Sequence, residues 1–134
     1  FLQCLNEINL MTNQEVFDKV ATHLLTQNRK SINEEEIGNA CKYRGPNGLK
    51  CAAGIMIPDD VYNSRMENVV IDTILRENPE LAHLLPFASL LFDLQQIHDW
   101  KEVQNWKTEL QKVAVSHKLS TAVLDQNCCI KMII

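Results

Sequence analysis

The sequence predicts a mostly α fold of the α+β class, with four to five helices packed on one β-hairpin at about residues 41–54. Three observations carry this expectation. Apolar residues recur at helical spacing in several separate stretches, as in helices with one buried face. Two segments, Thr12-Asn13-Gln14-Glu15 and Asp99-Trp100-Lys101-Glu102, have the form of capping boxes, which start helices. Between them, "CKYRGPNGLKCAAG" sets a Pro-Asn-Gly turn between two short arms, and such a ribbon is stable only when other elements cover it.

Length and composition bound what these elements build. The 134 residues, 46% of them apolar, suit one domain with a real core. Its expected extent is 11–119: the residues before Met11 read as an N-terminal extension, and 120–134 as a C-terminal tail. A formal charge of −4 opposes binding to nucleic acid, which needs a cationic face. No apolar run approaches the roughly 20 residues of a membrane span, and the first residues lack the cationic region and apolar core of a signal peptide, so a cytoplasmic protein without membrane partners is expected. Five cysteines form no CxxC pair, which points to reduced thiols without a disulfide framework, metal or cofactor.

The first helix should start near Asn13, with Met11 and Val16 placed for a hydrophobic staple and Val16, Phe17, Val20, Ala21, Leu24 and Leu25 as its buried stripe. The polar run "QNRKSINEEEIGNA" reads as a loop. In the hairpin, Pro46-Asn47-Gly48 fits a three-residue turn with Gly48 left-handed, and the register pairs Gly45 with Leu49, Tyr43 with Cys51 and Cys41 with Ala53. Alternation then puts Cys41, Tyr43, Leu49, Cys51 and Ala53 on one face and Lys42, Arg44 and Lys50 on the other. Pro58 ends the second strand, and Asp59 or Asp60 is placed to cap the next element, a helical turn over 62–68. Val69, Val70, Ile74 and Leu75 continue at helical spacing to Asn78-Pro79, where a short helix begins that ends at Pro86. Phe87, Leu90, Leu91, Leu94 and Ile97 make the next stripe. Asp99 is expected to cap a helix carrying Val103, Trp106, Leu110, Val113 and His117 on one side, and a short helix starts at Ser120.

With most polar residues assigned to caps and turns, Lys42, Tyr43, Arg44 and Lys50 are left as the candidate ligand-binding cluster. Arg44 can grip two oxygens of a phosphate or carboxylate, and the lysines add point charge. The function expected from them is non-enzymatic: sequestering a small anionic ligand such as a nucleotide-like signal, or occupying a host protein, with walls supplied by helices or by a second copy in a homo-oligomer. A structural or oligomer-forming protein without ligand is one alternative. A small hydrolase is the other, with His98 as general base beside Asp59, Asp60 or Asp99, but neighbours in sequence rarely meet in catalytic geometry and no catalytic residue is assigned. Cys41 and Cys51 cannot close a zinc shell alone, and no spacing selects among His23, His83, His98 and His117 as further ligands.

The segment "CKYRGPNGLKCAAGIMIPDDVY", the Met66-Glu67 pair, "LQQIHDW" and "VSHKL" together resemble a family of small bacterial and phage proteins without an assigned activity. Its members read roughly C-x-Y-R-G-x-x-G-x-K-C-A-x-G-x-L-I-P-D-x-x-Y, then L-Q-x-x-H-D. The resemblance covers about residues 11–119, with Met56 where the pattern has leucine and Asn68 where glycine is common. It implies a phage or mobile-element setting in a bacterial host cell and carries no site residues with it.

Overall fold

Helix α1 (Asn13–Gln27) starts as its capping box predicts. In the computed structural model of the chain, which describes residues 11–38 and 40–125, Thr12 Oγ1 accepts the Glu15 N–H at 3.1 Å and the Glu15 carboxylate accepts the Thr12 N–H at 3.0 Å. The extension over 1–10, with Cys4, Cys128 and Cys129, lies outside the described residues. Val16, Phe17, Val20, Ala21 and Leu24 are fully buried, and Asn28 ends the helix in the left-handed conformation, at φ 53°.

The rest of the described chain is also mostly helical. Helices α2 (Ile71–Glu77), α3 (Ala88–Trp100) and α4 (Trp106–Ser116) are joined by 3-10 segments, of which Pro79–Phe87 is the longest. Pro79 opens that segment as expected, although the Asn78 side chain donates back to Ile74 O instead of capping forward. Helix α3 is the centre of the packing. Its Leu90, Leu91, Leu94 and Ile97 are buried, and it touches α1, α2, α4 and the turns at Ala53–Met56 and Pro79–Phe87. Leu124 enters the same core, and reciprocal bonds between the Gln14 side chain and the Ser120 backbone tie that end to α1, so packing continues past residue 119. No helix among the described residues is long and apolar enough to cross a membrane.

The hairpin expected at 41–54 does not form. Among the described residues the only β pairing is an isolated antiparallel bridge between Ile32 and Cys41. The turn itself closes, with the Gly45 N–H donating to Leu49 O at 2.7 Å and Gly48 left-handed at φ 79°, but Asn47 is left-handed too and Pro46–Gly48 winds as a 3-10 turn. At the next rung, which would pair Tyr43 with Cys51, a side chain takes the Tyr43 amide, and further side chains fix the outward-facing backbone of Arg44 and Lys50. The Glu67 carboxylate accepts the Tyr43 N–H at 2.9 Å and the Arg44 N–H at 3.1 Å. On the other arm, the Gln27 side chain accepts the Lys50 N–H at 3.0 Å and donates to Lys50 O at 2.9 Å, and His23 Nε2 bonds the same carbonyl at 2.8 Å. Burial completes the change. Cys51, Ala52 and Ala53 are all buried, which a strand with one solvated face does not permit, and the chain turns at once through Ala53–Met56. Gly54 lets that turn sit on its neighbour, because a Cβ there would lie 2.6 Å from Tyr43 O.

Two expected caps are corrected as well. Asp99 lies in the last turn of α3 and not ahead of a helix, because α3 runs on to Trp100 and α4 begins only at Trp106. Asp59 caps no helix: Arg44 and Lys50 hold its carboxylate, and Asn63 caps the turn at Ser64–Met66.

Replacing Glu67 by alanine strands two backbone donors and the Tyr62 hydroxyl, which also donates to it. Urea unfolding should show Glu67→Ala to cost about 3 kcal/mol. Glu35→Ala, at an exposed loop position, should cost less than about 0.5 kcal/mol. Equally small effects would mean that the carboxylate does not hold the segment.

Candidate functional site

The four turn residues singled out for anion binding are each engaged within the chain. Lys42 Nζ pairs with Glu36 at 2.8 Å, and Lys50 Nζ with Asp59 at 3.3 Å. Tyr43 is buried, and its hydroxyl donates to Val69 O. Arg44 Nη1 donates to Gly54 O at 2.8 Å, while Nη2 donates to Ile57 O at 2.6 Å and to Asp59 at 2.9 Å. The same guanidinium lies 4.8 Å from the centre of the Tyr62 ring. Arg44 thus clamps the turn at Ala53–Met56 with the fork geometry that makes arginine suited to binding carbonyls and carboxylates. The structure brings Arg44 and Lys50 together on Asp59 and places Lys42 apart from them, on Glu36.

A cleft of about 420 Å³ opens elsewhere, against the outer face of α3. Ala40, Cys41 and Tyr43 form one wall and the segment 68–71 another. Asn68 turns that second wall in the left-handed conformation, φ 64°, which asparagine tolerates better than most residues. The third wall is α3 itself, which contributes Phe92, Gln95, Gln96, Asp99 and Trp100. These positions follow helical spacing on the side opposite the buried Leu90, Leu91, Leu94 and Ile97, so one helix serves the core with one face and the cleft with the other. Trp100 and Phe92 are exposed, at 76% and 46%, as rings along this wall.

Hydrogen-bond direction in the cleft is set by two backbone amides. The Ser31 N–H can only donate, so His98 Nε2, 2.8 Å away, must accept, and the ring proton sits on Nδ1. That Nδ1–H donates to Asp99 Oδ1 at 2.9 Å. From the other side, the Ala53 N–H donates to Gln95 Oε1 at 2.8 Å, which turns the Gln95 amide nitrogen toward Asp99 Oδ1 at 2.7 Å. Asp99 therefore accepts from both directions. His98 and Asp99 do meet, contrary to the expectation for sequence neighbours, because the last turn of α3 buries the ring against Trp106 while leaving the carboxylate on the cleft wall.

The thiols are held protonated. Burial pushes Cys41 up to about 12, and the Asp99 charge adds to the shift. Burial also pushes Cys51 up to about 12, against the Gly54 N–H, which favours the thiolate. Tyr43 is raised as well, again mainly by burial. Cys41, His98 and Asp99 each place a ligand atom within 4.8 Å of the others, a spacing that invites a metal. The donor set does not fit one as it stands: metal on Nδ1 would move the ring proton to Nε2, where it would face the Ser31 N–H. Nor is His98 placed to take a proton from Cys41, since both its nitrogens are engaged.

No protein-family model, curated protein or solved structure matches the chain. The sequence pattern alone does not mark Glu67 and Gln95 as site-forming groups, and it offers Asp99 only as a helix cap or as a partner of His98. A signal for the cleft wall is present in it: Phe92, Gln95, Gln96, Asp99 and Trp100 form a second stripe on the helix whose apolar stripe the spacing predicts.

Alkylation with iodoacetamide at pH 8, read by peptide mass mapping, should modify Cys41 and Cys51 in the folded protein at least about tenfold more slowly than in urea. Rapid labelling of Cys41 in the folded protein would identify an activated thiolate and contradict the geometry.

Proposed function

We propose that the protein is a small non-enzymatic binding protein that works through the cleft on α3, in the phage or mobile-element setting that its sequence pattern implies. The observation that carries this reading is the construction of the cleft, in which a carboxylate of fixed hydrogen-bond direction lies between apolar walls and exposed rings. Binding sites of small molecules span roughly 300–1,000 Å³ and combine apolar lining with a few placed polar groups. At about 420 Å³ the cleft has that size and that make-up. Hydrolysis through His98 gains no support, because its ring nitrogens are both occupied and the neighbouring thiol is held as a thiol.

An anionic ligand at the basic turn is the second reading. One observation favours it: Lys50 borders a shallower groove of about 610 Å³ together with Lys19 and His23. Against it, Lys42, Arg44 and Lys50 would have to leave the carboxylates that now hold them.

Fragment mapping separates the two. Indole, benzamidine, benzoate and adenine, titrated at millimolar concentration into labelled protein, should shift amide resonances of 40–43, 68–71 and 92–100. Shifts confined to the Lys19 and Lys50 groove would move the site to the basic turn, and shifts at neither place would contradict the binding function.

A further inference from the structure

We infer that the cleft selects an organic cation, an ammonium or amidinium group on an apolar body, and holds it against the Asp99 carboxylate. This rests on the reading of the cleft as the binding site and adds the chemistry of its occupant. Asp99 is the only charged residue among the described residues that line the cleft, and no lysine, arginine or histidine lines it. Its nitrogen donors, His98 Nδ1–H and Gln95 Nε2–H, bring no lysine or arginine charge and both bond the same oxygen, Oδ1. Among the described residues no lysine or arginine forms an ion pair with it. The side chain is only 26% exposed, so the negative charge is partly withdrawn from water, while among the described residues the other carboxylate oxygen has no nitrogen donor and the only further side chain bonded to Asp99 is the uncharged Cys41 thiol. A partly desolvated charge without an ionic partner is costly, and the same low polarity strengthens its attraction for a cation brought to it.

The surroundings agree in sign. The Asp99 charge acts on Cys41, Tyr43 and Cys51, each of which it disfavours from ionising, so the cleft repels anions along three of its side chains. Lys30 acts on Cys41 in the opposite sense, but it does not line the cleft. Trp100, next to the carboxylate, and Phe92, two turns back along α3, present exposed rings to the same space. Aromatic faces attract cations and cover apolar bodies, so the rim suits both parts of such a ligand.

The test uses charged and neutral isosteres with the whole chain: benzylamine against benzyl alcohol, and benzamidine against benzamide, with affinities read from amide shifts of 40–43, 68–71 and 92–100. Wild-type protein should bind each cation about tenfold more tightly than its neutral partner, the ratio given by about 1.4 kcal/mol for one charge-assisted contact. Asp99→Asn should bring the ratio close to one. The variant can keep its fold, since the asparagine carbonyl can still accept the His98 and Gln95 bonds at the Oδ1 position. Gln96→Lys, which places a cation on the same wall without touching that network, should abolish the preference independently. The acetylated and amidated tripeptide Gly-Lys-Gly, bound as tightly as benzylamine, would assign the cation to a protein side chain, and weaker binding of the tripeptide would assign it to a free amine. Equal binding of charged and neutral probes in the cleft would overturn the inference and leave the cleft as a binding site. A preference that survives Asp99→Asn would overturn the assignment to that carboxylate, and no binding in the cleft would overturn both readings.

Discussion

The Glu67 carboxylate is the constraint on which the rest of the structure depends. It takes the Tyr43 amide out of the hairpin pairing, binds the Arg44 amide beside it and accepts the Tyr62 hydroxyl as well. With those amides fixed, Arg44 points its guanidinium at the carbonyls of Gly54 and Ile57, and the 51–57 run coils into the core instead of extending. Gln27 and His23 complete the arrangement from α1 by bonding the Lys50 backbone. Four side chains thus do for this segment what a neighbouring strand does in a sheet. A buried backbone group left without a partner costs as much as a lost hydrogen bond, so these side chains decide the path of the chain.

The cleft is a consequence of that path. Because Tyr43 and Cys51 are drawn inward, the segment that carries them forms a wall and floor beside α3 and not an independent ribbon. The coiled 53–56 turn presents the Ala53 N–H to Gln95, and the loop at Ser31 presents its N–H to His98. Two rigid backbone donors thereby orient the side chains that meet on Asp99. A site whose polar groups are aimed before a ligand arrives loses less on binding than one that must reorganise.

Helices are legible in the sequence wherever a periodic apolar stripe meets a cap of local origin. Thr12 and Glu15 need only each other, and the Val16 to Leu24 stripe needs only helical spacing, so α1 is readable residue by residue. The left-handed Gly48 and the Gly45 to Leu49 closure are readable for the same reason. The absence of the hairpin is not, because Glu67, 24 residues from Tyr43, takes the amide that the next rung would use and leaves no trace of this in the period-two pattern. Asp99 misleads for a related reason. A capping-box pattern and the last turn of a helix ending on a polar cluster look alike locally, and the choice between them is made by the packing of His98 on Trp106 and the Ser31 amide.

Hydrogen exchange of individual backbone amides tests the central claim most directly. If side chains hold the 41–50 segment in place of a strand, the amide protons of Tyr43, Arg44 and Lys50 exchange slowly, with protection comparable to that of Leu94 in the middle of α3. Exchange of these three amides at the rate of an unstructured peptide, with α3 still protected, would contradict it.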